Sequence, residues 1–336
     1  IECKRLFSTL VNASPDEVAA FPGVTYALAI LMSSLKLKRD SNIVVSSLNF
    51  PTSILIARSM AKRGYVREVR VAGARGGLVD LDVYEKLVDD STSVVLVDYV
   101  SWLSGYVEDL RELARIAHSR GALLVTDAFH AVGVMPVDVK KLDVDILVTG
   151  SYKWLMSIHG AALAYVRSEL VEGLEPAYAG WMAVEDSVIK RMLRGEPEFA
   201  RPLDVSDVRL AGDASRLEIG TQPLIAFVAL RESLKFILDY DAPALYETHT
   251  WRLADRLAES LEDMGYELYT PRERHAAIVT FKHENPQKLV EELEKRRIKV
   301  AARPGLVRVS PHFYNTPDDI EKLLEALREL KKRHTT

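Results

Sequence analysis

The sequence predicts an α/β protein built on a mostly parallel sheet, followed by a smaller α+β domain. In its first half, short β-branched segments alternate with helical segments. Several of these segments are apolar at consecutive positions, as strands covered on both faces are. The C-terminal part has fewer and more charged elements. We therefore predict a large domain over residues 1–240 and a small domain over residues 241–336.

The predicted helices are marked by their ends. Ser14 to Glu17 predicts a helix start, because proline suits a first turn and acids suit the positive end of the helix dipole. A second helix is expected to begin near Thr25. Residues 107–120 give the clearest helix, with one apolar face and Gly121 as its stop. Residues 223–240 predict a long helix that closes the large domain.

The predicted strands are short and rich in β-branched residues. In the large domain they cover residues 43–45, 69–71, 94–97, 123–125, 146–148 and 161–166. In the small domain, a helix over residues 244–264 precedes strands near 276–281 and 306–310. A charged helix near residues 318–332 ends the chain.

Composition limits the class of protein. Hydrophobic residues make up 48% and charged residues 27% of the 336 positions, as in ordinary globular proteins. The net charge is −4 and no long basic run occurs, so no nucleic-acid partner is predicted. No apolar stretch approaches the roughly 20 residues of a membrane span, so no membrane association is predicted.

The cysteine and amide content indicates the cellular setting. Cys3 is the only cysteine, so no intrachain disulfide can form and a cytoplasmic location is expected. Gln occurs only at Gln222 and Gln287, beside many charged residues, which favours a thermophilic source. We predict no metal site.

Polar residues follow two of the predicted strands. Asp127 and His130 come after the strand at 123–125, and Lys153 comes after the strand at 146–148. Open α/β sheets bind ligands at the carboxyl ends of their strands. A partly desolvated lysine amine loses its proton more easily and can then attack an aldehyde. An acid at the neighbouring strand end suits a pyridinium nitrogen, whose charge it would stabilise.

Two motifs resemble those of the class V aminotransferase family, which comprises fold-type I pyridoxal-5′-phosphate (PLP) enzymes. They are Asp127-x-x-His130-Ala-x-Gly and Gly-Ser151-Tyr152-Lys153-Trp-Leu. The family includes cysteine desulfurases, isopenicillin N epimerase and kynureninase. The resemblance implies PLP as the cofactor, a small amino-acid substrate, and a large domain with a seven-stranded, mostly parallel sheet.

The resemblance also implies roles for these residues. Lys153 would form a Schiff base with PLP and then act as the proton-transfer base, while Asp127 would pair with the ring nitrogen. His130 would lie near the phenolic oxygen of the cofactor. Tyr152 would reach the phosphate, as in kynureninases, and Ser151 beside it is also predicted to bind the cofactor.

Two N-terminal segments agree with the match. Val24 and Thr25 stand where the family has its phosphate loop, before a helix whose N-terminal amides would bind a phosphate. Asn-Phe50-Pro-Thr resembles the Asn-Phe-Pro-Thr of kynureninase, which implies that Phe50 stacks on the cofactor ring. The segment before Thr25 is shorter than the family's usual one.

Two later segments extend the match. Gly220 and Thr221 resemble the Gly-Thr-Pro element that reaches the phosphate of the neighbouring subunit, which implies a homodimer with shared active sites. Arg308 begins Arg-Val-Ser-Pro-His-Phe-Tyr-Asn-Thr, which resembles the family's Arg-x-Ser/Ala-x-x-x-Tyr-Asn-Thr run. The family's arginine holds the α-carboxylate of the substrate, and a guanidinium suits a carboxylate bidentately.

Each of these residues has a plain structural alternative. Asp127 and Thr25 are residue types that cap turns and helices. His130 and Phe50 would also suit a hydrophobic core, and Arg308 would suit a surface ion pair. Trp154, after the lysine, is expected to pack in the core.

The expected function is that of a class V aminotransferase acting on an α-amino acid through Lys153. The alternatives are kynureninase-like hydrolysis, prompted by Phe50 and Tyr152, amino-acid epimerisation, and a non-enzymatic protein that keeps the fold. A cysteine desulfurase is not expected, because Cys3 is the only thiol and lies far in sequence from the family's nucleophile position.

Overall fold

The structure, a computed structural model, describes residues 1–185, 191–192, 194–196 and 208–335. Its helices are α1 Glu2–Val11, α2 Val24–Ser34, α3 Pro51–Lys62, α4 Leu81–Leu87, α5 Leu110–His118, α6 Val139–Leu142, α7 Ser168–Val171, α8 Leu224–Asp239, α9 Trp251–Asp263, α10 Pro286–Lys295 and α11 Pro317–Thr335. Its strands are β1 Val18–Phe21, β2 Asn42–Ser46, β3 Glu68–Ala72, β4 Thr92–Asp98, β5 Leu123–Asp127, β6 Ile146–Gly150, β7 Ala162–Val166, β8 Val279–Lys282, β9 Ala301–Arg303 and β10 Leu306–Val309. No helix in these ranges is both long and apolar enough to cross a membrane.

The main sheet has seven strands in the order β1-β7-β6-β5-β4-β2-β3. The strands β6, β5, β4, β2 and β3 pair in parallel, whereas β7 runs antiparallel to both of its neighbours. This confirms the predicted α/β fold with a mostly parallel sheet of seven strands.

Both faces of the main sheet are covered by helices. Ile43 and Val45 belong to one buried cluster, together with residues of α2 and α3, while Val44 belongs to another with residues of α1, α4, α5 and α8. Alternate residues of a strand point to opposite faces. The consecutive apolar positions that predicted these strands therefore reflect burial on both sides.

The predicted helix start at Ser14 is present, but only a single helical turn follows it. Residues Pro15–Glu17 form a single 3₁₀ turn, in which the Ser14 amide donates to Glu17 Oε2 at 2.8 Å, and the chain then enters β1. A capping pair can close a single turn and does not require a longer helix. After this turn the four residues of β1 are all buried and pair with β7, so they form a strand and do not continue the helix.

The C-terminal lobe, defined here as α9–α11 with β8–β10, has its own sheet and core. The sheet is antiparallel in the order β8-β10-β9. The three helices bury their apolar faces in a cluster that is separate from those of the main sheet. The predicted domain boundary at residue 240 stays a prediction.

The docking segment, residues 101–107, joins this lobe to the main sheet. Thr280 donates its hydroxyl to the Leu103 carbonyl at 2.7 Å, and the Ala276 amide donates to the Gly105 carbonyl at 2.8 Å. Gly105 has a φ of 76°, and a Cβ there would lie 2.1 Å from the Ile278 carbonyl oxygen. This close approach requires glycine.

Candidate active site

Three neighbouring strands end at one cavity. Asp98 ends β4, Asp127 ends β5, and the segment after β6 carries Lys153. Asp98 and Asp127 are paired in register, which sets their side chains side by side at the same edge of the sheet. The cavity measures about 170 Å³ and is lined by Gly23, Val24, Thr25, Tyr26, Phe50, Thr52, Asp98, Val100, Asp127, Phe129, His130, Tyr152 and Lys153.

Lys153 lines this cavity among aromatic and polar groups. Its Nζ is 2.9 Å from His130 Nε2, and it lies 4.1 Å from the centroid of the Phe129 ring. Burial chiefly lowers the pKa of Lys153 to about 8, with a smaller opposing effect from Asp127. With this pKa, roughly a tenth of the amine is unprotonated at pH 7, far more than for a lysine in water, and the unprotonated form is the one that nucleophilic attack requires.

The hydrogen bonds of His130 assign its tautomer. Trp154 donates its indole N–H to His130 Nδ1 at 3.1 Å, and an indole nitrogen can only donate. Burial holds the pKa of His130 well below its usual value, so the imidazole is neutral and carries its proton on Nε2. That proton then points at Lys153 Nζ, which can accept it when the amine is neutral.

Asp127 keeps a polar contact within its buried setting. Its Oδ1 accepts the Phe129 amide at 2.9 Å, and only 5% of the residue is exposed. Burial raises the pKa of Asp127 to about 6, against the lowering effects of that hydrogen bond and of Lys153. Asp127 is thus a buried carboxylate that a cationic ligand would stabilise.

Asp98 was not predicted as a site residue. It is 5% exposed, its Oδ2 accepts the Phe50 amide at 2.6 Å, and its Oδ1 is buried without a hydrogen-bond partner among the described residues. Burial, and next the charge of Asp127, raises the pKa of Asp98 well above its usual range. Asp98 therefore keeps its proton to a higher pH than Asp127 does. Its place after the apolar run at 94–97 is the signal that could have found it.

The N-terminus of α2 forms one end of the cavity. Gly23 caps this helix without a side-chain hydrogen bond, so the amides of Val24 and Thr25 have no intrahelical acceptor. The Thr25 hydroxyl oxygen lies 3.5 Å from that of Thr52. Free amides and hydroxyls at a helix N-terminus suit an anion such as a phosphate.

The aromatic residues of the cavity form its walls. Phe50 precedes α3, is 41% exposed, and has its ring centroid 5.6 Å from Lys153 Nζ. The Tyr152 ring meets Phe129 edge-on at 5.0 Å and stacks on His159 at 3.8 Å. Trp154, expected in the core, is buried and stacks on His312 at 5.0 Å.

Three of the residues that were predicted to bind the cofactor do not line the cavity. Ser151 is buried and donates its hydroxyl to the Ile158 carbonyl at 2.5 Å, which closes the loop around Lys153. Gly220 accepts a hydrogen bond from the Gln222 side chain at 3.1 Å, and Thr221 follows it before α8. The cofactor roles of these three residues stay predictions.

Two arginines of the C-terminal lobe lie beyond the cavity lining. Arg308 donates from Nη1 to the Trp102 carbonyl at 2.8 Å, and the guanidinium of Arg303 lies 5.4 Å from the centroid of the Trp102 ring. Burial, and next Arg303, lowers the pKa of Arg308 to about 10. Arg303 was not predicted, since the strand β9 that carries it was not predicted either.

The donor set of the cavity suits the cofactor that the sequence implies. A neutral amine suits an aldehyde, a buried carboxylate suits a protonated ring nitrogen, and a helix N-terminus suits a phosphate. Gly150 leaves room for the side chains of Phe129 and Val24, which line the cavity. A Cβ at position 150 would lie only 2.6 Å from Phe129 and 2.9 Å from Val24. The residues present therefore fit PLP.

Comparisons with known proteins agree with this geometry. A family model described as aminotransferase class-V matches residues 1–323. The uncharacterized aminotransferase YcbU of Bacillus subtilis (strain 168) is 28% identical over 96% of this chain and 81% of its own length. A probable cysteine desulfurase of Pyrococcus abyssi is 26% identical over 98% of this chain and 83% of its own length. An apo structure of cysteine desulfurase from Thermococcus onnurineus NA1 superposes with a TM-score of 0.87 at 24% identity, covering 98% of this chain and 83% of that one.

The expectation that the chain is not a cysteine desulfurase gains no support from these comparisons. Proteins named as probable cysteine desulfurases are similar to the chain, as are kynureninases. In the structure, Cys3 is buried in α1, where its thiol donates to the Phe227 carbonyl of α8 at 3.1 Å. The absence of a second thiol remains the sole basis for that expectation.

Proposed function

We propose that this chain, which belongs to the class V aminotransferase family of PLP-dependent enzymes, transfers the amino group of an α-amino acid through Lys153. One observation carries the proposal. The amine of Lys153 lies 2.9 Å from His130 Nε2, in the same cavity as the buried carboxyl of Asp127. When bound, PLP supplies a carbonyl group that condenses with amines and a ring that withdraws electrons from Cα.

Each residue of the cavity would have a separate role in the reaction. Lys153 would hold the carbonyl group of the cofactor through its amine, whose neutral form burial and the Nε2 proton of His130 favour. Its Nζ would also be the base that takes the Cα proton of the substrate and returns it. Asp127 would hold the proton on the ring nitrogen, and the ring of Phe50 would limit the plane in which a flat ligand can lie.

A second candidate is kynureninase-like hydrolysis of a carbon–carbon bond. Phe50 and Tyr152, the two residues that resemble kynureninase, both line the cavity. Epimerisation would use the same lysine and the same cofactor. Desulfuration of cysteine is a further outcome to be tested, although the buried thiol of Cys3 offers no nucleophile at the cavity.

We also propose that the chain acts as a homodimer with shared sites. Leu224 and Ile225, at the start of α8, are 72% and 77% exposed, and Tyr178 is exposed beside a groove. Thr25 and Thr52 line both this groove and the cavity, so a partner seated on the groove would cover the cavity mouth. Exposed apolar surface of this kind favours self-association.

The dimer proposal can be tested by light scattering. Ile225→Glu should convert the protein to a monomer that retains PLP poorly, since a charge would be buried at the contact. Tyr240→Glu, at the other end of α8, is the matched control and should leave the dimer intact. If the Ile225→Glu protein remains a dimer of unchanged stability, the interface lies elsewhere on the surface.

The enzymatic proposal is tested first by the visible absorption spectrum of the protein with added PLP. A band that borohydride removes should occur in the wild type and be absent from Lys153→Ala and Lys153→Arg. Product analysis then separates the reactions: a 2-oxo acid supports transamination, anthranilate from kynurenine supports hydrolysis, an inverted centre supports epimerisation, and sulfur release from cysteine supports desulfuration. A wild type without the band would overturn the proposal.

A further inference from the structure

Arg303 and Arg308 lie on one face of the β9–β10 hairpin. In this antiparallel pair, Arg303 is opposite Leu306 and Arg308 is opposite Ala301. Residues two apart in a strand point to the same side, so Arg308 shares a face with Leu306 and therefore with Arg303. Such diagonal neighbours lie about 7–8 Å apart.

This face is connected to the cavity through Trp102 and Phe50. Arg308 bonds the Trp102 carbonyl and Arg303 lies over its ring, while the same ring meets Phe50 edge-on at 5.5 Å. Both guanidinium charges are close enough to lower the pKa of Lys153, after the larger effect of burial. The two arginines thus belong to the electrostatic environment of the reacting amine.

Neither guanidinium has an anionic partner within the part of the chain that the structure describes. Arg303 donates only to the Ala302 carbonyl at 2.7 Å and Arg308 only to the Trp102 carbonyl, while the Nε atoms of both are buried without a hydrogen bond. Two other arginines, Arg272 and Arg274, pair with Asp255 and Asp109 at 2.8 and 2.9 Å.

Two adjacent cations without carboxylates are unfavourable in the free protein. Each carries a desolvation cost, and their mutual repulsion adds to it. A ligand with one carboxylate would neutralise one of the two charges. A ligand with two anionic groups would neutralise both and would satisfy the unpaired N–H donors.

We propose that Arg303 and Arg308 together select a substrate with two anionic groups, namely an α-amino acid with an acidic side chain. Arg308 binds the α-carboxylate, and Arg303 binds the carboxylate of the side chain. The inference rests on the proposed function, because it assigns the substrate class of the same site.

The test is calorimetric binding of carboxylates without an amino group to protein incubated with PLP. Glutarate, with two carboxylates, should bind wild-type protein at least about tenfold more tightly than butyrate, since a hydrogen-bonded charge pair contributes that much. Arg303→Gln should abolish this difference and leave the affinity for butyrate unchanged. Arg308→Gln should weaken both ligands.

Arg296→Gln is the matched control, because Arg296 belongs to the same lobe but pairs with Glu329 at 2.6 Å. It should bind both ligands as the wild type does. Arg303→Lys, which keeps the charge, should retain part of the preference for glutarate if the role is electrostatic. Circular dichroism of each variant establishes that it is folded.

Two results would overturn the inference. If Arg303→Gln binds glutarate as tightly as the wild type does, Arg303 contacts no second anion. If it weakens glutarate and butyrate equally, both arginines hold one carboxylate. A preference for glutarate in a protein without the borohydride-sensitive band would support the anion site and reject the enzymatic proposal. A protein that shows the band but binds glutarate no more tightly than butyrate would support the enzymatic proposal and reject the anion site.

Discussion

Asp98 and Asp127 occupy paired positions at the ends of β4 and β5, so two buried carboxyl groups lie side by side in the cavity that Lys153 also lines. The amide of Phe50 stabilises one carboxyl group and the amide of Phe129 stabilises the other. Because two adjacent buried charges repel, one group keeps its proton to a higher pH than the other. The raised pKa of Asp98 makes it the protonated one.

Asp98→Asn should therefore stabilise the protein without cofactor at high pH. A carboxyl whose pKa is raised by folding stabilises the fold below its ordinary value near 3.8, and that contribution is lost as pH rises through the raised value. Asparagine imitates the protonated acid at every pH, so the gain at pH 8 should be about 1–3 kcal/mol. Thermal unfolding from pH 5 to pH 9 measures it.

The exposed Asp90 provides a control for this variant, since Asp90→Asn removes a charge from the surface. Its unfolding curve should keep the pH dependence of the wild type. A lower melting temperature of Asp98→Asn at pH 8 would mean that Asp98 is charged in the folded protein.

Trp154→Phe should raise the pH at which the protein captures PLP. The indole N–H keeps the proton of His130 on Nε2, from which it stabilises the neutral amine of Lys153. Without this donor the imidazole can carry its proton on Nδ1 instead. The midpoint of the capture rate against pH, expected near the Lys153 pKa of about 8 in the wild type, should rise by as much as about one pH unit.

Phenylalanine keeps an aromatic ring to stack on His312, so packing changes little in this variant. An unchanged midpoint in stopped-flow measurements of PLP capture would show that Trp154 only fills space.

Gly150→Ala should destabilise the fold by about 1–3 kcal/mol and weaken PLP binding. The new methyl group would lie 2.6 Å from the Phe129 ring and 2.9 Å from the Val24 side chain, which would push both into the cavity. Chemical denaturation and fluorescence titration with PLP measure the two effects. Gly73→Ala is the control, because no atom lies within 4 Å of a Cβ at that position; equal effects in the two variants would reject the steric explanation.

His118→Gln should destabilise the protein at pH 5.5 but hardly at pH 9. The hydrogen bond from His118 Nε2 to Asp145 Oδ2, at 2.8 Å, raises the pKa of this histidine. The stabilisation is complete below the ordinary value of 6.5 and is lost as pH rises through the raised value. His118 is partly exposed, so the loss at pH 5.5 should be only about 0.5–1 kcal/mol. A loss that is equal at both pH values would show that charge plays no part.

Six of the seven strands of the main sheet and the central residues of the site could be predicted because their signals are local, whereas β1 was missed and the count of seven came from the family resemblance. Asp127, His130 and Lys153 each follow a buried strand within a few positions, and the structure brings them into one cavity. Asp98 escaped prediction because its importance comes from a neighbour on β5, which is distant along the chain. Arg303 escaped prediction because its strand is very short. Its role also depends on its contact with Trp102, which joins distant parts of the fold.

The docking segment places the arginines relative to the carboxyl pair by the length of the backbone. Asp98 ends β4, and Trp102, whose carbonyl holds Arg308, follows four positions later. One inserted residue would displace that carbonyl by up to about 3.3 Å. In the proposed function Arg308 binds the substrate carboxylate, so the length of this segment would set the distance between that carboxylate and Lys153. Natural or engineered changes in the length of the segment would then alter the preferred substrate size with every site side chain retained.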